Sequence, residues 1–245
     1  MEENISRLRI ISRTLSGILL AFFVFIFAMI FSMVMFSIFP GLINLSWIMG
    51  FLSQTGFLIV SMILIFIFSK GRLSEFGFGL PAGKKWLIWI PVSLIIGFIS
   101  CLIIIFSPAK GFPDSGGSSA LGSSVLQMIL LVWIQASICE EVTYRSAIQG
   151  FLKPLMNYGI YIRKLFLSIP VITSGILFGI MHVFLVTIGM DNLSVVIIML
   201  NGIVLGLIAG YQREKTGSLI PAIIIHACFN IGGSVLSFLP QAMFK

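Results

Sequence analysis

The chain has 245 residues, of which 58% are hydrophobic and only 9% are charged. A soluble domain of this length could not cover so much apolar side chain, so the composition excludes that class and indicates a polytopic membrane protein. The net charge is +7, but no basic stripe interleaved with aromatic residues lies outside the apolar runs. We therefore expect no nucleic-acid partner, and an integral, multi-pass protein of the lipid bilayer.

Seven apolar runs follow one another along the chain, each near or above the roughly 20 residues that a helix needs to cross hydrocarbon. The connectors between them are short, which predicts an all-α, polytopic transmembrane helical bundle of about seven membrane helices. The connector 108–124 is rich in glycine and serine and is expected to be flexible. The predicted spans are 14–39, 47–69, 85–107, 125–150, 166–189, 193–211 and 219–239.

The positive charges predict an orientation. Twelve of the 15 basic residues fall before the first span, in the connectors after the second, fourth and sixth spans, or, for Lys85, at the first residue of the third span. These positions all lie on one side of the membrane if the chain crosses it seven times. Since basic residues accumulate in cytoplasmic connectors, the N-terminus is predicted to be cytoplasmic and the C-terminus external.

Ionisable groups inside the spans are candidates for function, because a charge in hydrocarbon is costly. Of the eight acidic residues, only Glu140 and Glu141 fall inside an apolar run, the fourth, together with Arg145. Both histidines of the chain, His182 and His226, also fall inside apolar runs. The pattern predicts that the bundle brings these groups together.

The spacing of charged residues on the fourth span predicts different roles for its two glutamates. Glu141 and Arg145 are four residues apart, so they share a helix face and can pair. Glu140 points about 100° away from Glu141 on an α-helix and has no such partner, which makes it the candidate general base. The alternative is that all three charges form one buried network that only fixes helix packing.

The last span carries His226 and, one turn later, Asn230. Two donors on one helix face can both bond a single oxygen, as an oxyanion site requires. The alternative for this pair is a polar clasp between helices, which is common in membrane bundles. His182 on the fifth span could equally be a packing residue. If that span begins near Pro170 instead of 166, His182 lies at a membrane depth similar to that of Glu140 and His226.

Three short motifs, EExxxR at Glu140, FxxxH at Phe178 and HxxxN at His226, occur in this order on separate predicted membrane helices. Together they resemble the CPBP family of CAAX proteases and bacteriocin-processing enzymes, which includes the type II CAAX prenyl endopeptidases. The resemblance covers about Val125 to Gly233. It implies an intramembrane protease of the glutamate type. The best-described relatives have eight membrane helices, so an eighth helix is left open here.

The resemblance also implies roles for individual residues. Glu140 and His182 would activate a water molecule, His226 with Asn230 would stabilise the oxyanion, and Glu141 with Arg145 would support them. The family has also been described as metalloproteases, and Glu140, His182 and His226 could ligate zinc. No HExxH motif is present, so no cofactor is expected, with zinc as the alternative.

The resulting hypothesis is an intramembrane endopeptidase of a prokaryotic cell membrane. Its substrate would be a membrane-associated peptide or small membrane protein, lipidated or CAAX-like, or a bacteriocin precursor. Residues 1–124 would supply N-terminal transmembrane helices and residues 125–239 the catalytic core of one integral domain. The alternative function is a non-catalytic membrane scaffold or bacteriocin-immunity protein. The sequence makes no prediction about the oligomeric state.

Overall fold

The computed structural model describes residues 6–45, 47–107 and 124–235. The fold is an all-α bundle, 83% helical, which confirms the predicted class. The connector 108–124, apart from its last residue, and the end of the predicted seventh span lie outside the described residues. The helices are α1 (Arg7–Ile38), α2 (Ile48–Ser69), α3 (Trp89–Phe106), α4 (Val125–Phe151), α5 (Ile169–Ile180), α6 (Asn192–Thr216) and α7 (Leu219–Ser234). Short 3-10 turns cover Pro40–Asn44, Leu73–Phe76, Lys85–Ile88 and Lys153–Leu155.

Six helical segments are long and apolar enough to cross a membrane. Five of them match predicted spans closely, and the sixth, Ile169–Thr187, joins α5 to the 3-10 segment Met181–Ile188 that follows it. The seventh predicted span corresponds to α7, whose described part is apolar but only 16 residues long. Within the described residues, the structure therefore provides six helices of spanning length and one shorter apolar helix.

The fifth span begins later than predicted. Residues Gly159–Ile162 (β1) and Leu165–Ser168 (β2) form a two-stranded antiparallel hairpin, with Gly159 opposite Ser168. The side chain of Ser168 then accepts a hydrogen bond from the backbone N–H of Val171 and caps α5. Pro170 occupies the first turn, where its missing N–H costs nothing. The predicted start at residue 166 was wrong, and the alternative start near Pro170 is the one observed.

Helix α6 starts at a similar cap. The backbone N–H groups of Leu193 and Ser194 donate to Oδ1 of Asp191, at 3.1 and 3.0 Å. The Ser194 hydroxyl and these N–H groups hold the pKa of the Asp191 carboxyl below its ordinary value. The ionised carboxylate also suits the positive end of the helix dipole.

Helix α4 is not uniformly α-helical. Met128–Ala136 and Val142–Ile148 are wound as π-helix, and Ser137–Glu141 between them is α-helical. Stretches of π-helix are rare and occur often at functional sites. In this chain they flank the segment that carries the two glutamates.

Glycines allow the helices to approach one another closely. A Cβ atom on Gly97 of α3 would lie 2.1 Å from the carbonyl oxygen of Phe229 on α7, and one on Gly232 would lie 2.1 Å from that of Leu94. Gly175 of α5 and Gly206 of α6 meet in the same way. Small residues at such crossings are typical of membrane helix packing. These contacts draw α3 against α7 and α5 against α6.

The ends of several helices meet at one end of the bundle. Arg13 near the start of α1 donates to the carbonyl oxygen of Phe151 at the end of α4, and Arg213 near the end of α6 donates to that of Glu75 in the turn after α2. Phe76 in that turn is buried against Gly150. We call this the basic end, since it gathers the basic residues that the sequence assigned to one side of the membrane.

Candidate active site

The site is built around an ion pair on α4. Glu141 and Arg145 are both fully buried, and Nε of Arg145 lies 3.1 Å from Oε2 of Glu141. The contact lacks the alignment of a hydrogen bond, so it is a charge pairing. Nη1 of Arg145 donates to the carbonyl oxygen of Ser174 on α5, at 3.2 Å. The pair expected from the four-residue spacing is therefore present, and it also ties α4 to α5.

His226 on α7 lies between the two glutamates. Its Nδ1 is 2.9 Å from Oε1 of Glu141, and its Nε2 is 3.7 Å from Oε2 of Glu140. Because an ionised carboxylate only accepts hydrogen bonds, Nδ1 carries the proton of the shorter contact. All three side chains are buried. The sequence suggested that adjacent glutamates would have separate environments, but both of them reach the same imidazole.

Gln54 on α2 completes the surroundings of Glu140. Its Nε2 donates to Oε1 of Glu140 at 2.6 Å. Its own Oε1 is buried and has no hydrogen-bond partner within the described part of the chain. Sequence reasoning assigned nothing to this residue. A signal was present, however, because Gln54 is the one amide or charged side chain of α2.

His182 is the third titratable group of the site. It follows α5 by two residues and is partly buried, with Nδ1 3.0 Å from the carbonyl oxygen of Phe178. A carbonyl oxygen only accepts, so Nδ1 donates and Nε2 of the neutral ring is left as the acceptor. The ring of Phe178 contacts both His182 and His226. The bundle thus brings His182 close to His226, the histidine that contacts the glutamates.

The ring of Phe178 on α5 contacts both histidines. Its centroid lies 5.3 Å from the ring of His182 and 5.3 Å from that of His226, edge to face in each case. The Cζ atom of Arg145 lies 5.1 Å from the same centroid, in the range of a cation–π contact. Tyr144 packs against it at 5.4 Å. The sequence identified Phe178 only as the first residue of the FxxxH motif. It did not predict that the ring contacts both histidines.

Asn230 lies one turn beyond His226 on α7, with its amide directed at α4. Its Nδ2 donates to the carbonyl oxygen of Val132 at 3.1 Å and to Oγ of Ser137 at 3.2 Å. The two N–H bonds of the amide are thus used between helices. This is the geometry of the polar clasp that the sequence offered as the alternative to an oxyanion donor.

The proposed zinc ligands do not form a metal site in this arrangement. Among the described residues, no group of three His, Cys, Asp or Glu side chains converges so that it could hold a metal ion. Nδ1 of each histidine is bonded to an oxygen of the protein, which leaves Nε2 of each ring available. Because Glu140, His182 and His226 do not converge in the described arrangement, they do not form a zinc site in it.

Comparison with protein families identifies the part of the chain that holds this site. Residues 122–232 match the model described as type II CAAX prenyl endopeptidase Rce1-like. This segment is similar to that family. It contains both glutamates, both histidines, Arg145 and Asn230, whereas Gln54 lies outside it. Comparisons with the curated proteins and with the solved structures found no match.

The similarity indicates a broad class of activity. The matched family is one of CAAX prenyl endopeptidases, so the segment that holds the site is similar to proteases that act on peptides. The six described helices of spanning length indicate an integral, multi-pass protein of the lipid bilayer.

Proposed function

We propose that the protein is a glutamate-type intramembrane endopeptidase that hydrolyses a peptide bond with an activated water molecule. The observation that carries the proposal is the buried row Glu140, His226, Glu141 and Arg145, in which each group contacts the next. A base, a donor and their supporting charges are thereby held in one place. Residues 125–239 would form the catalytic core, and the helices before it would contribute through Gln54.

The charges of this row support a donor role for His226. Two carboxylates and one guanidinium leave a net negative charge, and an uncompensated charge in the membrane interior is costly. Nε2 of His226 lies 3.7 Å from Oε2 of Glu140, so an N–H on this nitrogen would be placed to bond an oxyanion formed next to Glu140.

Glu140 acts as the general base in this mechanism. It takes a proton from a water molecule shared with Nε2 of His182, and the resulting hydroxide attacks the carbonyl carbon of the scissile bond. The new oxyanion accepts a hydrogen bond from Nε2–H of His226. The carbon–nitrogen bond then breaks as Glu140 returns the proton to the leaving amine. The products are a peptide with a new carboxyl group and one with a new amino group.

Gln54 and Asn230 have supporting roles in this mechanism. Gln54 holds Oε1 of Glu140 with its Nε2 and offers its unpartnered Oε1 to the second hydrogen of the water. Asn230 becomes the second oxyanion donor when the N–H now bonded to Ser137 turns to the substrate. Glu141 and Arg145 hold His226 in position.

The proposed substrate is a membrane-associated peptide or small membrane protein, lipidated or CAAX-like, or a bacteriocin precursor. It would be cut near the cytoplasmic face of a prokaryotic cell membrane. These substrates share an apolar anchor, which brings the scissile bond to a site that lies among membrane helices.

The test compares the peptides released by membranes that contain the wild-type protein with those released by a Glu140→Gln variant. The variant keeps the shape of the side chain but cannot accept the proton, so specific fragments should be missing from its profile. Glu75→Gln serves as the control, since Glu75 is partly exposed and paired with Arg72 at the basic end. Identical fragments from wild type and Glu140→Gln would overturn the proposal.

One observation favours the second candidate function, a non-catalytic scaffold or immunity protein. The amide of Asn230 is bonded to α4 with both of its N–H groups, as a packing residue would be. A scaffold would keep its biological effect in the Glu140→Gln variant, whereas a protease would lose it.

A further inference from the structure

A cavity of about 680 Å³ opens at the basic end, away from the glutamates. It lies between the start of α1, the end of α2 and the end of α4 with the turn that follows. Three of its lining residues are cations, Arg13, Lys70 and Lys153. The one acidic residue among the described lining is Glu75, whose carboxylate is paired with Arg72 at 2.9 Å. The cavity therefore carries an excess of positive charge.

The rest of the lining is largely apolar. The rings of Phe68 and Phe151 pack together with centroids 5.2 Å apart, and Ile67 and Phe76 continue the wall. A basic surface that only faced solvent would not need these apolar side chains beside its cations. The combination of cations with aliphatic and aromatic side chains matches a ligand that is itself part anionic and part apolar.

One of the cations is held in position before any ligand arrives. Nε and Nη2 of Arg13 donate to the carbonyl oxygen of Phe151, at 3.2 and 2.8 Å. Its Cζ atom lies 4.7 Å from the centroid of the Phe151 ring. Pre-organised guanidinium groups lose less freedom on binding an oxyanion than free side chains do.

A smaller adjoining cavity of about 130 Å³ is a weaker candidate. It shares Lys153 and Glu75 with the larger cavity and adds Arg213 and Glu214. Its described lining thus has as many carboxylates as cations, so it offers no net attraction for an anion. Only the larger of these two cavities has a net positive charge that would favour an anionic ligand.

We propose that the larger cavity binds an anionic phospholipid, with the phosphate against Arg13, Lys70 and Lys153 and an acyl chain along Ile67 and Phe68. Basic pockets between membrane helices suit anionic headgroups because the cations meet the phosphate at headgroup level. The site is separate from the candidate active site. Gly150 at the cavity lies ten residues beyond Glu140 on α4, or roughly 15 Å along a helix.

The test measures the melting temperature of the full-length, delipidated protein in detergent with increasing lipid. Phosphatidylglycerol should stabilise the wild type, and phosphatidylcholine of the same chain length should not. Each of Lys70→Gln and Lys153→Gln should weaken the phosphatidylglycerol dependence by about fivefold. Arg13 is left intact, because its bonds to Phe151 also hold α1 to α4.

Lys84→Gln and Lys164→Gln are the matched controls. Both side chains are exposed, both belong to the same predicted side of the membrane, and neither lines the cavity. They should change the lipid dependence by less than twofold. If the controls lost as much of the phosphatidylglycerol dependence as the cavity variants, the stabilisation would come from general surface charge, and the proposed lipid site would be wrong.

Inorganic phosphate and glycerol phosphate form a separate arm of the experiment. If either stabilised the wild type as much as phosphatidylglycerol does at the same concentration, the apolar wall would play no part and the lipid assignment would be wrong. Equal stabilisation by phosphatidylcholine would also overturn it. Stabilisation confined to the anionic lipid, and lost in the two cavity variants, is the expected result.

Discussion

Gln54 on α2 and Glu140 on α4 are joined by a buried hydrogen bond of 2.6 Å, although 86 residues separate them in the chain. Glu140 lies in the segment that matches the Rce1-like family and Gln54 lies outside it. Helix α2, which precedes the matched segment, therefore reaches the candidate general base directly.

Replacing Gln54 by alanine should lower kcat while the protein still accumulates in membranes. A hydrogen bond to a charged group is worth about 1.5–3 kcal/mol, so the loss should be roughly 10- to 100-fold. Steady-state kinetics with a released peptide measure the loss, and an immunoblot of the membranes checks the abundance.

The control for this variant is Gln135→Ala. Gln135 on α4 donates to Thr55 and to the carbonyl oxygen of Phe51, so it also links α4 to α2. Its loss removes a bond between the same two helices without touching Glu140. If Gln135→Ala lowered kcat as much as Gln54→Ala, the effect would come from helix packing alone.

Replacing Arg145 by alanine should lower both the abundance and the activity of the protein. Breaking a buried ion pair by removing one partner costs about 3–5 kcal/mol, since Glu141 keeps a buried, uncompensated charge. Adding Glu141→Gln to this variant removes that charge and should restore abundance, measured by immunoblot and melting temperature. Activity should stay low, because His226 has lost its carboxylate. A fully expressed and fully active Arg145→Ala protein would refute the pairing.

Replacing Phe178 by leucine should impair catalysis more than stability. Leucine keeps much of the apolar volume but lacks the ring that contacts His182, His226 and Arg145. Aromatic contacts of this kind contribute about 0.5–1.5 kcal/mol each, so two of them predict a loss in kcat of roughly 10-fold or more.

Phe25→Leu provides the comparison for Phe178→Leu. Phe25 makes similar ring contacts, but with Phe57 and Phe184 instead of the two histidines. The two variants should have similar melting temperatures, and only Phe178→Leu should lose kcat. Equal losses of activity would mean that the ring of Phe178 serves general packing.

Asn230→Ala and Ser137→Ala together decide the role of Asn230. Loss of one oxyanion donor typically reduces kcat by about 10²–10³, which is the expectation for Asn230→Ala. Ser137→Ala removes only the hydroxyl that Asn230 now contacts at 3.2 Å, so kcat should change by no more than a few fold. If both variants lost the same small amount of activity, Asn230 would be a clasp between α7 and α4.

Catalysis should persist after exhaustive treatment with a metal chelator. The mechanism proposed above uses only Glu140, His182, His226 and their neighbours, so the removal of divalent ions should leave kcat unchanged. Activity that disappears with the chelator and returns with zinc would contradict this scheme. In that case Glu140, His182 and His226 would be assigned as zinc ligands.

The sequence by itself determined the class of the protein and singled out the charged and titratable residues of the candidate site, but not Gln54. An apolar content of 58% predicts a membrane bundle. Charged residues within its spans indicate functional positions, because a charge in hydrocarbon is costly. The ion pair of Glu141 with Arg145 could also be predicted, because backbone hydrogen bonding sets the spacing of residues along one helix.

Only the tertiary structure decided which groups meet across helices. The bond from Gln54 to Glu140, the approach of both glutamates to His226 and the contacts of Phe178 with two imidazoles all join residues of different helices. Helical periodicity says which residues share a face, but not which face of another helix lies opposite. That choice depends on how closely and at what rotation the helices pack. Glycines at helix crossings, such as Gly97 of α3 where it meets α7, help to set both.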